Sequence, residues 1–162
     1  MGPALPPRRL AFTVQGVLRV AVEGRLDDGR SVRLPISAFG EDAADLLGAR
    51  AVLRRGALLA DKFELVWLGR LWRLHLRAFG GHRVELPSGR VLVLRERGAV
   101  RREWVTVDQS LRIRRHGLGF SAGDATWRED EQGETLPALL LCLYGLARSW
   151  QELGMAVAIA AA

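Results

Sequence analysis

The sequence predicts a mainly β protein, an antiparallel sheet curled or closed into a β-barrel around a buried hydrophobic C-terminal helix. Three observations lead there. From Leu10 to Trp127, short apolar or alternating runs are separated by turns that contain glycine, the pattern of hairpin-connected strands. At residue 136 the period changes: "LPALLLCLYGLA", residues 136–147, is apolar on every side, and such a helix must be enclosed by protein or by lipid. Twelve residues span only about 18 Å of helix against a bilayer core of about 30 Å, and Arg148, Gln151 and Glu152 then interrupt the run, so protein is the expected enclosure and no transmembrane span is predicted. Finally, 162 residues with 49% hydrophobic and 26% charged content suit one globular domain that buries about two-thirds of its unfolded surface.

The elements follow in chain order. Residues 1–9, with three prolines and no apolar run of a secretory signal, read as a flexible N-terminal arm before a single domain over 10–162. "VLRVAVEGRL" and "RSVRLPIS" flank a hairpin turn at Asp27-Asp28-Gly29. "EDAADLLG" reads as a short helix stopped by Gly48, and "ARAVLRRG" as a strand. "FELVWLGRLWRLHLR" reads as a hairpin with a type II′ turn at Gly69-Arg70, setting Trp67 opposite Trp72 and Leu65 opposite Leu74, with Glu64 across from His75. Phe63, Leu65, Trp67, Trp72, Leu74 and Leu76 then share one face, while Lys62, Arg73 and Arg77 take the other. Rings and cations on opposite faces make this hairpin a wall of the core, because single-strand binding needs both in one groove. "HRVELPSGRVLVLRERG" turns at Ser88-Gly89. In "REWVTVDQSLRIRR", a three-residue loop at Asp108–Ser110 matches Val107 to Leu111 and Val105 to Ile113. The closing helix, over about 136–153, takes Thr135 as N-cap, with Pro137 tolerated in its first turn and "EDEQGE" complementing its dipole.

The formal net charge is +6, and Lys62 is the only lysine among 24 basic residues. A GC-rich coding bias yields such arginine enrichment without any function, so position says more than total. Residues 65–120 hold 12 arginines against 4 acids, and residues 121–134 hold five acids against Arg128. The three-residue loop brings Arg102, Trp104, Arg112 and Arg114 onto one face, where guanidinium forks and an indole would meet an anionic ligand.

Catalytic and metal signals dissolve on inspection. "GFSAG", Gly119–Gly123, has the nucleophile-elbow form, yet His75, His82 and His116 all precede Ser121, and 41 residues are too few for the rest of a hydrolase sheet. "GLGFSA" is followed by acids instead of an amphipathic helix and reads as a loop. The histidines lack metal spacing, so neither metal nor cofactor is expected. Cys142, the single cysteine, excludes an intrachain disulfide and sits in the apolar run as a small core residue.

A curled antiparallel sheet followed by an all-apolar helix is similar to the tubby C-terminal-like superfamily, with its LURP-one-related and phospholipid-scramblase-like members, in which a barrel wraps a central helix. "FELVWLGRLWRLHLRAFGGHRVELPSGRVLVLRERG", "RREWVTVD" and "LPALLLCLYGLARSW" look like small bacterial members, over roughly residues 49–150. The acidic insert "REDEQGE" and the apolar tail after Trp150 depart from that pattern, and no calcium-binding carboxylate cluster is present. The resemblance implies a phospholipid-associated or scaffolding role. The expectation is a non-catalytic cytoplasmic binding domain, peripheral at the membrane, that recognises anionic phospholipid headgroups. Two alternatives stand beside it: nucleic acid bound without base reading by the basic 65–120 face, and a barrel enzyme with an interior pocket.

Overall fold

In a computed structural model of the chain, residues 6–16, 19–37, 40–55, 61–77, 81–98, 102–117 and 119–161 are described, side chains of 153–160 excepted. Twelve strands precede one helix: β1 (Arg8–Gln15), β2 (Val20–Leu26), β3 (Ser31–Ile36), β4 (Asp42–Leu46), β5 (Ala49–Arg55), β6 (Lys62–Trp67), β7 (Arg70–His75), β8 (His82–Glu85), β9 (Val91–Arg97), β10 (Glu103–Thr106), β11 (Leu111–Arg115), β12 (Ala122–Trp127) and α1 (Thr135–Ala161). They form one antiparallel sheet in the order β3-β2-β1-β12-β11-β10-β9-β8-β7-β6-β5-β4. Its two edges, β3 and β4, are consecutive in the chain and lie side by side without a ladder, so the sheet is a nearly closed barrel. The expected β-barrel around a C-terminal helix is the observed fold.

The helix lies inside the curl. It touches β2, β3 and β12 as well as β6 and β7, strands far apart in the sheet order, which requires the sheet to wrap it. Leu139, Leu141, Cys142, Leu143 and Tyr144 have no exposed surface. Strand alternation supplies the matching wall: Phe63, Leu65, Trp72 and Leu74 are fully buried in β6 and β7. Gly145 allows the closest approach, since a Cβ there would stand 2.5 Å from Leu74 Cδ2.

Polar groups seat the helix at its start and again at its middle. The cap differs from expectation: Asp130 Oδ1 accepts from the N–H groups of Glu134 and Thr135 and from Thr135 Oγ1, so Asp130 satisfies the helix entrance and Thr135 donates to it. Glu134, only 1% exposed, accepts from Arg70 Nη2 at 2.8 Å and from Ser88 N and Oγ at 2.8 and 2.7 Å. Further along, Tyr144 donates to Asp42 Oδ2, Arg148 Nη1 donates to Tyr144 Oη at 2.7 Å, and Asp42 Oδ1 accepts from Ser37 N at 3.0 Å. Asp42 thereby joins the end of β3, the start of β4 and the helix across the one seam that has no ladder. Burial, and then the bond to Asp42, holds the Tyr144 phenol well above its ordinary pKa, so it stays a donor.

Four expectations are corrected. "EDAADLLG" is not a helix: Asp42, Ala44 and Leu46 are buried in alternation with exposed Ala43 and Asp45, a period of two, and the segment pairs with β5 as β4. The β6–β7 turn is Leu68-Gly69, both at positive φ (51° and 70°), the type I′ form whose twist suits a hairpin. Trp67 therefore faces Arg70, Leu65 faces Trp72 and Glu64 faces Arg73, while His75 lies 3.5 Å from Glu85. The two-residue change in register keeps the inner face intact but adds Arg70 to it, 5.2 Å over the Trp72 ring. Arg8 and Arg9 belong to β1 instead of an arm, of which residues 1–5 lie outside the described residues. Finally, α1 continues to Ala161, because its last turns are mostly alanine, leucine and methionine and hold no helix breaker stronger than Gly154.

Two substitutions test this packing. Leu143→Asp should abolish cooperative thermal unfolding followed by circular dichroism, since an unpaired carboxylate in this core costs several kcal/mol. Leu68→Asn should raise stability in a urea titration by about 1 kcal/mol, because an exposed leucine now occupies a left-handed position that asparagine tolerates.

Candidate functional site: an arginine wall and a barrel mouth

The structure divides the four predicted residues, Arg102, Trp104, Arg112 and Arg114, into two places. The loop between β10 and β11 has four residues, Val107–Ser110, with Gln109 at φ 58°. Val107, whose apolarity places it in a strand by sequence, is 65% exposed at the turn. One extra loop residue shifts the pairing by one, so Trp104 faces Ile113 and Val105 faces Arg112. The Trp104 ring is consequently inside, 1% exposed and edge-on to Phe120 at 5.7 Å, and not beside Arg112 and Arg114.

Arg112 and Arg114 remain together on the outer wall and acquire a neighbour the sequence did not announce. Across β1, β12 and β11, one row runs Arg9, Thr126, Arg112 and the next runs Ala11, Asp124, Arg114. Arg9, Arg112, Arg114, Asp124 and Thr126 border a depression of about 460 Å³. On its far side Arg95 and Arg97 of β9 stand opposite Val105 and Glu103 of β10. Two acids temper the charge. Glu103 Oε1 is 3.1 Å from Arg112 Nε and 3.4 Å from Arg114 Nη2, and Asp124 Oδ2 is 2.6 Å from His116 Nε2. The guanidinium of Arg9 has no hydrogen-bond or carboxylate partner among the described residues. Nothing local in the sequence linked Arg9 to Arg112; pairing of the first strand with the last brings them together.

Arg102 and Trp104 meet at the other location, the end of the barrel where α1 emerges. There Trp150 sits within 5.2 Å of both the Arg102 and the Arg115 guanidinium carbons. Arg102 Nε is 2.9 Å from Glu96 Oε1. A cavity of about 260 Å³ opens among Arg102, Trp104 and Trp150.

The remaining candidates are structural. Ser121 of "GFSAG" is exposed at the start of β12 and its carbonyl accepts from Val14 N. Gly123 is required by close packing, because a Cβ there would lie 2.2 Å from Arg114 O and 2.6 Å from the Phe12 ring. In "GLGFSA", Leu118 lies outside the described residues. Cys142 is fully buried and its thiol is pushed up to about 12, far from a reactive thiolate. Among the described residues no three His, Cys, Asp or Glu side chains converge as a metal-ligand set. Comparisons with protein-family models, curated proteins and solved structures find no match for this chain.

The register of β10 can be checked directly. Trp104→Ala should cost about 3–5 kcal/mol in denaturant unfolding, as for a large ring removed from a core. Arg112→Ala and Arg114→Ala should each stay within about 1 kcal/mol, as for surface ion pairs. An outward-facing Trp104 would instead make all three losses small.

Proposed function

We propose that this chain is a non-catalytic binding domain that docks on anionic phospholipid headgroups through Arg9, Arg112 and Arg114. The observation that carries the reading is the outer-wall depression that these three arginines border, with Arg95 and Arg97 alongside. Guanidinium forks take phosphate bidentately, and several on one wall suit an array of headgroups better than a single small anion. The interior is the wrong place for a substrate, since the helix occupies it. That argues against the barrel-enzyme alternative.

The tubby C-terminal-like resemblance points the same way and is part of the proposal. A twelve-stranded antiparallel sheet around one hydrophobic C-terminal helix supports it at the level of architecture, although fold alone does not fix a ligand. No helix among the described residues is long and apolar enough to cross a membrane. Attachment in this reading is peripheral, through the wall, on the cytoplasmic face. Nucleic acid is the weaker alternative. With Trp104 turned inward, the arginine wall loses the indole on which a base could stack.

Co-sedimentation with phosphatidylserine-containing and pure phosphatidylcholine vesicles tests the reading. Binding should require the anionic lipid and weaken with salt. Arg112→Gln with Arg114→Gln should weaken it about thirtyfold, at about 1 kcal/mol per arginine near a charged surface. The same change at Arg73 of β7 and at Arg77, at the rim of the helix-exit cavity, should matter less. Equal losses from both pairs would mean diffuse attraction, and preference for duplex DNA over vesicles would favour the nucleic-acid alternative.

A further inference from the structure

We infer that the cavity at the helix-exit end of the barrel binds a small zwitterion with an apolar body, of the kind an apolar α-amino acid presents. The first argument is positional. Alternation from the buried residues of β7, β8 and β9 (Leu74, Val84 and Leu94) makes the next inward positions at this end Leu76, His82 and Glu96, and Trp104 stands directly opposite Glu96. Polar side chains thus take inward positions where the core pattern calls for apolar ones. On the helix, Leu146, Ser149 and Trp150 complete the lining at i, i+3 and i+4. At about 260 Å³ the space lies just under the roughly 300 Å³ of the smallest drug-sized sites, which limits the ligand to a small molecule.

The second argument is hydrogen-bond accounting. The Trp104 indole N–H is buried and has no partner among the described residues, an unmet donor on a residue that lines a cavity. His82 Nδ1 accepts from Arg77 N at 3.0 Å, which leaves the ring proton on Nε2 as a donor. Burial lowers the His82 pKa, so the ring is neutral near pH 7. Arg102 uses its Nε on Glu96 and keeps its outer N–H groups. These donors suit a carboxylate.

The third argument is charge. Arg77 and Arg102 are balanced by Asp61 and Glu96 around the same space, so a bare anion gains little over water. The Asp61 carboxylate has no side-chain hydrogen-bond or ion-pair partner among the described residues, and with Glu96 it acts electrostatically on His82. An acceptor for an ammonium group and donors for a carboxylate therefore line one cavity, together with the apolar surfaces of Leu76, Leu146 and Trp104.

The experiment follows the indole N–H resonance of Trp104 in the full chain, assigned by its loss in Trp104→Phe. L-phenylalanine and L-leucine are titrated, then 3-phenylpropionate and phenethylamine, which each lack one charge. At least one amino acid should shift the resonance saturably. Both single-charge analogues should bind about tenfold or more weakly, as expected for a lost charge-assisted hydrogen bond. Asp61→Asn, at an exposed position whose backbone bond to Leu76 is retained, should weaken the amino acid and leave 3-phenylpropionate unchanged. No shift with either amino acid, or equal binding by either analogue, would overturn the assignment.

Discussion

Residues 136–147 carry no charge, and every face of that helical stretch is shut off from water. An α-helix apolar all round cannot lie on a flat sheet, because one sheet covers only one stripe of it. The twelve strands must therefore curl until their two edges meet, and most other features serve that requirement. The inward rows alternate with outward ones along nearly every strand. Gly145 lets the helix approach β7 closely. Where the edges meet without a ladder, Asp42 supplies the missing connection, holding Ser37 on one side and Tyr144 on the other. Glu134 does the corresponding work at the entrance, where one buried carboxylate ties the helix start to Arg70 and Ser88.

This construction limits where chemistry can happen. The helix fills the interior along residues 138–147, so recognition moves to the outer wall and to the end where the helix leaves. On the wall, alternation collects the outward residues of strands that are remote in sequence, and β1 brings Arg9 beside Arg112 only because the first strand pairs with the last. At the end where the helix leaves, inward strand positions become His82 and Glu96, and Arg102 lines the same cavity. The two regions differ chemically: the wall is rich in guanidinium groups, and the cavity is balanced.

The alternating strands and the all-apolar helix were legible in the sequence because both follow from side-chain period alone. Register was not. In the β6–β7 hairpin the turn was misplaced, yet the pairing moved by an even step, so the same residues still face inward. In β10–β11 a single extra loop residue moved the pairing by an odd step and turned Trp104 from the surface to the core. Val107 misled there, since its apolarity suggested a strand while it occupies an exposed turn. β4 was misread because "DAADL" is rich in helix formers, and only tertiary pairing with β5 overrides that preference. The balanced cavity had no local signature at all, because its residues come from five strand ends and the helix.

Native-state hydrogen exchange across a denaturant series tests most directly whether the enclosed helix holds the sheet together. The amides of Leu139–Ala147 should exchange only through global unfolding, with the same free energy and denaturant dependence as the core amides of β6 and β7. Helix amides that exchange at distinctly lower free energy, while those strands stay protected, would mean that the barrel stands without its helix and would contradict the account.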